Sequence, residues 1–170
     1  MKFVDLNEEL VNDMVNEVDA DLAEGTLYFS PRLTEFGVSK YPEILKTSLE
    51  ALDLNLFISL LSETGILKLT ELRKGSLVKV PKNAAQLIAE GEFNKFYIRA
   101  LCLKAIRENM DLEVYRAKEV RTPRPDSEEK IGMIVKPKDL LQDLRETKGI
   151  DSHLGLPNGY NSGLSVKIKR

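Results

Sequence analysis

The sequence predicts an α+β fold for a chain of 170 residues, with a largely helical N-terminal half packed on a small, mostly antiparallel sheet. Two patterns lead to this class. Apolar side chains recur at helical spacing within the first 63 residues and again at 91–109, whereas 66–81 and 112–120 alternate apolar and polar side chains, as strands do. Because 42% of the residues are hydrophobic, the chain can bury one core, and we expect a single domain over 1–170.

The first predicted helix is acidic on its outer faces. Its apolar side chains recur every four residues, at Leu6, Leu10, Met14 and Val18. Asp and Glu fill the remaining positions, and Gly25 is a suitable stop. A helix of this kind over 1–25 packs on its own domain or acts as an arm that docks on a neighbouring copy, and both alternatives stay open.

Two short helices and a β-hairpin are predicted next. Residues 26–41 form a structured connection, and Pro42 suits the first position of a helix because its missing N–H is not needed there. Asp53 is a suitable N-cap for a second helix, which Gly65 ends. A hairpin follows over 66–81, because strand-like alternation surrounds the turn residues Lys74-Gly75.

Two helices followed by a hairpin raise the question of a winged-helix DNA-binding module. A recognition helix must present hydrogen-bond donors to base edges and phosphates. The candidate segment LNLFISLLSET contains no lysine or arginine. We therefore do not expect this helix to read a DNA groove.

A central apolar helix is predicted near 91–109, where apolar residues cover more than half of the circumference. Asn83 and Gln86 resemble a capping box, so a helix opens there and breaks or bends at Gly91. Arg99 stands among apolar neighbours, and its guanidinium therefore needs a carboxylate or phosphate partner. The more frequent arrangement is an internal ion pair, with Glu92 or with an acid of the N-terminal half.

Charge is distributed unevenly along the chain. Residues 1–63 hold 13 acidic and 4 basic side chains, a balance of −9, and residues 64–170 hold 14 and 21, a balance of +7. Such asymmetry indicates charge-complementary partners, or two halves that neutralise each other within one fold.

The basic segment 116–124 is the leading candidate for binding. It begins within the best predicted strand, 112–120, and continues into a loop with two prolines that limit its freedom. With Arg99, the candidate interaction residues are Arg116, Lys118, Arg121 and Arg124. The alternative is a solvated loop whose cations pair locally with Glu119, Asp126, Glu128 and Glu129.

The last helix is predicted to begin at Pro137 and to stop at Gly149. The tail 151–170 is rich in turns and ends in a short strand, LSVKI. Such a strand adds to a sheet of its own chain or of a neighbour.

No residue pattern indicates catalysis, and we expect no catalytic residue, cofactor or metal. The single cysteine, Cys102, is expected in the core, and the single histidine, His153, leaves little for zinc. Two carboxylate and lysine sets lack convincing spacing for a nuclease site: Asp111, Glu113 and Lys118, and Asp126, Glu128 and Lys130.

We expect no membrane contact and a cytoplasmic location. The longest apolar clusters are interrupted within about ten residues, short of the roughly 20 needed to span a bilayer. The opening segment MKFVDLNEEL is acidic and lacks the pattern of a secretory signal.

Three classes of function follow from these observations. The favoured hypothesis is a non-enzymatic, structural assembly protein that binds a protein partner, itself included as a homo-oligomer, through an acidic N-terminal and a basic C-terminal surface. The first alternative is a nucleic-acid-associated protein that contacts phosphates through segment 116–124. The second is a metal-dependent phosphodiester hydrolase whose carboxylates assemble across the fold.

Overall fold

The computed structural model describes residues 1–120, 122, 125–147, 152, 154–156 and 163–170. These residues form six α-helices and two small antiparallel sheets, which confirms the predicted α+β class. The elements in chain order are α1 (Val11–Ala23), α2 (Glu35–Glu50), α3 (Leu54–Leu61), β1 (Thr70–Arg73), β2 (Ser76–Lys79), α4 (Ala84–Glu108), β3 (Leu112–Arg116), α5 (Pro125–Glu128), β4 (Ile134–Val135), α6 (Pro137–Glu146) and β5 (Leu164–Ile168). Among the described residues, no helix combines the length and apolar character that crossing a membrane requires.

The 25-residue helix α4 is the centre of the fold and contacts α1, α3, α6 and β5. It runs through Gly91 without a break, so of the two expected alternatives at that glycine, a break or a bend, the break is wrong. A helical glycine costs only about 1 kcal/mol relative to alanine, and burial of the residues on both sides outweighs that cost. The predicted capping box is also wrong, because Asn83 makes no side-chain cap bond and Gln86 Nε2 donates to Glu90 Oε1 at 2.9 Å instead.

Helix α1 packs on α4 and α2 of its own chain. The apolar stripe Leu10, Met14 and Val18 is fully buried there. Gly25 follows the end of the helix with φ of 65°, a left-handed conformation that suits glycine.

Helix α2 begins at Glu35, so its predicted start at Pro42 is wrong. Thr34 Oγ1 accepts a hydrogen bond from Gly37 N at 2.8 Å and caps the first turn. A Cβ at Gly37 would lie 2.1 Å from the carbonyl oxygen of Ile66, so only glycine allows this approach. Pro42 is tolerated inside the helix, where its missing N–H removes one backbone hydrogen bond.

Helix α3 has the predicted N-cap, since Asp53 Oδ1 accepts hydrogen bonds from Asn55 N at 2.8 Å and Leu56 N at 3.0 Å. It ends at Leu61, four residues before the predicted stop at Gly65. The predicted hairpin is confirmed as β1 and β2, which pair antiparallel around the turn residues Lys74 and Gly75. Both turn residues have positive φ, 49° and 81°, as a two-residue hairpin of this type requires.

The second sheet has the strand order β4-β3-β5, and both pairings are antiparallel. The sequence also suggests one sheet built from the hairpin and the strand 112–120, and this is wrong, because among the described strands β1 and β2 pair only with each other. β3 instead takes the C-terminal strand β5 as its partner, which buries Leu112, Val114, Leu164 and Val166 between the sheet and the helices.

The free edge of β5 is occupied by side chains. Asn94 Nδ2 donates to the Leu164 carbonyl at 2.9 Å, and Tyr97 OH donates to the Val166 carbonyl at 3.2 Å. Asp5 Oδ2 accepts from the Ile168 N–H at 2.8 Å. Three of the outward-facing polar groups of this strand therefore have partners within the chain.

Helix α6 begins at Pro137 as predicted and turns Leu140, Leu141 and Leu144 inward. The predicted stop at Gly149 and much of the tail 151–170 lie outside the described residues. The short C-terminal strand of that tail is confirmed as β5.

Candidate interaction surface

Arg99, a candidate interaction residue, lies in the interior with 1% of its surface exposed. Its Nε donates to Glu17 Oε2 at 2.6 Å, and Nη1 and Nη2 donate to the two Asp21 oxygens at 2.6 and 2.9 Å. Both acids belong to α1, so the structure forms the internal pair with the N-terminal half rather than a surface site.

Arg145 of α6 joins this network at Glu17, with Nε 3.0 Å from Oε2 and Nη2 bound to Oε1. Burial alone would raise the pKa of Glu17, but hydrogen bonds and charges from Arg145 and Arg99 outweigh it and hold the pKa below its ordinary value. Glu17 therefore stays ionised and links helices α1, α4 and α6.

Glu92 is the second buried acid of α4, with 2% of its surface exposed. Its Oε2 accepts no hydrogen bond from the described residues. Burial raises the pKa of Glu92 to about 7; among the neighbouring charges, Lys95 lowers it, Asp21 raises it and Arg99 lowers it. Lys95 is itself buried, with Nζ 5.7 Å from the centre of the Phe96 ring, and it forms no ion pair with a described carboxylate.

The described cations of the basic segment 116–124 form ion pairs with acids of the same chain. Arg116 pairs with Glu128, and Lys118 Nζ lies 2.5 Å from Glu90 Oε2. Arg121 and Arg124 lie outside the described residues, and so does His153. Arg116 thus pairs as in the alternative of local pairing, whereas Lys118 pairs with an acid of α4 that this alternative did not include, and both cations are partly buried.

Side chains of the two carboxylate and lysine sets considered for hydrolysis have other partners; in the second set, Glu128 pairs with Arg116, and Lys130 Nζ donates to the Leu154 carbonyl at 2.9 Å. Asp111 pairs with Lys136 at 2.9 Å, and Glu113 pairs with Lys167 at 3.1 Å, while Lys118 holds a different acid. Within the described part of the chain, no three His, Cys, Asp or Glu side chains form a group that could hold a metal ion.

Cys102 is fully buried, as expected of a core residue. Burial is also the main cause that raises the pKa of its thiol.

Opposite charges of the two halves meet inside the chain. Two cations of α4 form ion pairs with acids of α1 and of the turn before it. Lys104 lies 2.9 Å from Glu9, and Arg107 lies 2.7 Å from Asp13. Much of the charge asymmetry in the sequence is therefore neutralised within the fold, and α1 is not a free acidic arm.

The hairpin β1–β2 exposes the most apolar surface among the described residues. Leu72 and Leu77 are cross-strand partners and are 75% and 72% exposed, and the neighbouring Leu69 is 87% exposed. Isolated exposed leucines are ordinary, but a cross-strand pair of exposed leucines, with a third exposed leucine just before β1, marks an interaction site. We call these leucines, with the cations described next, the hairpin surface.

Cations surround the three leucines. The segment 66–82 carries five basic side chains and one acid, a balance of +4: Lys68, Arg73, Lys74, Lys79 and Lys82 against Glu71. Lys74, Lys79 and Lys82 are exposed and form no ion pair with a described carboxylate. The hairpin surface is therefore both apolar and basic.

The base of the hairpin is fixed to the helical part of the chain. Arg32 Nε donates to Glu71 Oε2 at 2.7 Å, and Lys68 N donates to the Arg32 carbonyl at 2.8 Å. Leu33 and Leu67 form an antiparallel bridge beside them. The hairpin is thus held in one orientation, which lowers the entropy that binding would cost.

A groove of about 320 Å³ lies between α2 and α3, near this base. Four apolar side chains line it, Phe36, Ile44, Leu60 and Ile66, and Phe36 is 55% exposed. Glu43 and Glu63 stand at its rim with Lys40. We call this depression the α2–α3 groove.

Sequence reasoning did not identify the hairpin as a candidate surface. The available signal was the excess of cations around a predicted two-residue turn, but alternating leucines in a strand ordinarily indicate a buried face.

No protein-family model, curated protein or solved structure matches this chain.

Proposed function

We propose that this protein is a non-enzymatic interaction protein that takes part in an assembly by binding another protein chain through the hairpin surface. The observation that carries the proposal is the exposure of Leu69, Leu72 and Leu77 on one rigidly based hairpin. A stable fold has no need to leave three leucines in water on an element of this size. The cytoplasm, expected from the sequence, is the location that this proposal assumes.

The chemistry of the partner follows from the charges. Five cations around an apolar centre favour a partner with carboxylates around an apolar depression. One face of two four-residue strands measures roughly 13 Å by 10 Å, far below the roughly 800 Å² that each side of a stable interface buries. The partner must therefore enclose the hairpin or contact its base as well.

The proposal is tested by affinity capture from a lysate of the cells that express the protein. The double variant Leu72→Thr and Leu77→Thr keeps β-propensity but removes the apolar centre. The matched control is Leu22→Gln, which replaces an exposed leucine on α1. With a tagged bait, we expect quantitative mass spectrometry to find bound chains, the untagged copy of this protein among them, that the control retains and the double variant loses. Identical sets and amounts for all three proteins would refute the proposal.

Binding of nucleic acid is the second candidate, now through Lys74, Lys79 and Lys82 rather than through segment 116–124. Exposed cations without carboxylate partners favour phosphate contacts. Material absorbing at 260 nm that co-purifies with wild type and with the leucine variant, but not with Lys74→Asp and Lys79→Glu, would support this candidate over protein binding. Each lost phosphate contact should also reduce the salt slope of binding by about 0.9.

A further inference from the structure

The end of the molecule that carries the hairpin is self-complementary in charge. The segment 34–65, which contains α2 and α3, holds five acids and two lysines, a balance of −3. The segment 66–82, which contains the hairpin, has a balance of +4. Opposite charges therefore stand side by side on one end of the chain, each beside exposed apolar side chains.

The groove and the hairpin are neighbours in space. Ile66 lines the α2–α3 groove three residues before the first strand residue, and a Cβ at Gly65 would lie 3.8 Å from the ring of Phe36. No described residue of the hairpin strands lines this groove, and Glu71 is bound to Arg32 at the base of the hairpin. The groove of one copy is thus open to the hairpin of another.

We infer that the occupant of the α2–α3 groove is the hairpin of a second copy of this chain, in a two-fold dimer where each copy inserts its hairpin into the groove of the other. This inference rests on the proposed function, since it names the partner of the hairpin surface. Leu72 and Leu77 meet the apolar floor of the groove, and the hairpin cations meet Glu63 and Glu43 at its rim, where Glu43 exchanges its pair with Lys40, 3.4 Å away, for a cation of the other copy.

The two-fold arrangement also accounts for the charge of the hairpin. A contact between the two hairpin faces would bring five cations of each copy together, which is unfavourable. Reciprocal insertion instead places each cationic hairpin against carboxylates, and it forms two such contacts in one closed dimer. The closed symmetry predicts a discrete dimer rather than a filament.

The test is the light-scattering mass of the purified full chain over a range of concentrations. Two charge-reversed variants are compared with wild type: a hairpin variant, Lys74→Asp with Lys79→Glu, and a groove variant, Glu43→Lys with Glu63→Lys. All four positions are exposed, so far-UV circular dichroism and thermal unfolding should match wild type. We expect a wild-type dimer whose dissociation constant rises about tenfold on going from low to high salt, and a monomer for each variant alone.

The mixture of the two variants is the decisive sample. In a reciprocal dimer, the acidic hairpin of one variant meets the basic groove of the other, and the unchanged hairpin meets the unchanged groove, so both contacts are complementary. We therefore expect the mixture to regain the dimer. A mixture that stays monomeric, or a groove variant that dimerises like wild type, would overturn the inference.

Failure of this inference is distinguishable from failure of the proposed function. If the hairpin variant is monomeric and the groove variant still dimerises, the hairpin binds elsewhere on the copy and only the groove is wrong. If wild type is monomeric at every concentration while capture from the lysate still depends on Leu72 and Leu77, the partner is a different protein and the second copy is wrong.

Discussion

Glu92 offers a prediction whose size follows from the structure. Burial raises its pKa from 4.5 to about 7, and each pH unit of that interval corresponds to about 1.4 kcal/mol. Below pH 4.5 the carboxyl is protonated in both the folded and the unfolded chain. As the pH rises, the unfolded chain ionises first, so the folded state loses about 3 kcal/mol of relative stability by the time the pH passes 7.

The variant Glu92→Gln keeps the shape of the side chain but cannot ionise. We expect the free energy of unfolding of the variant, relative to wild type, to increase by about 3 kcal/mol between pH 4.5 and pH 8, because only wild type carries the cost of a buried charge. Urea unfolding of both proteins at pH 4.5, 6 and 8 measures this difference directly.

The matched control for this series is Glu63→Gln, which replaces an exposed carboxyl that carries no burial cost. Its difference from wild type should stay small at every pH. A constant difference for Glu92→Gln would refute the reasoning about burial. A variant that becomes less stable than wild type at pH 8 would show instead that an ion pair with Lys95 outweighs desolvation.

Two further changes test the packing around α4 and α2. Replacing Arg99 by Leu leaves two buried carboxylates of α1 without that donor, and we expect the free energy of unfolding to fall by about 3–5 kcal/mol in urea titration. The control Arg107→Leu removes an exposed pair and should lower the free energy of unfolding by less than about 1 kcal/mol. Gly37→Ala places a methyl group 2.1 Å from the backbone oxygen of Ile66, so we expect a loss of about 1–3 kcal/mol and a lower Tm in thermal unfolding; an unchanged Tm would contradict the close approach.

Elements with a local chemical cause could be predicted from the sequence. The Asp53 cap, the Lys74-Gly75 turn and the start of α6 at Pro137 each depend on residues a few positions apart. The need of Arg99 for a carboxylate was likewise visible, because its neighbours in the sequence are apolar.

Features that depend on distant residues could not be predicted. The start of α2 relies on the contact of Gly37 with Ile66, 29 positions away, and the sheet relies on pairing of Leu112 with Ile168. Alternation shows that a segment is a strand, but it does not show which strand will be its partner. For the same reason, the alternation predicts that Leu72 and Leu77 face the core. The structure shows that the three-stranded sheet forms without their strands.

The capped edge of β5 has a consequence for the behaviour of this protein at high concentration. An open strand edge acts as a template on which an unrelated or misfolded chain can grow a continuous cross-β structure. Asn94, Tyr97 and Asp5 bind three of the backbone groups that such a chain would use. Aggregation that starts at this edge must first break those bonds, which α4 and the N-terminal segment supply. We therefore expect the rate at which aggregation begins to depend on the stability of the fold rather than on the exposure of β5.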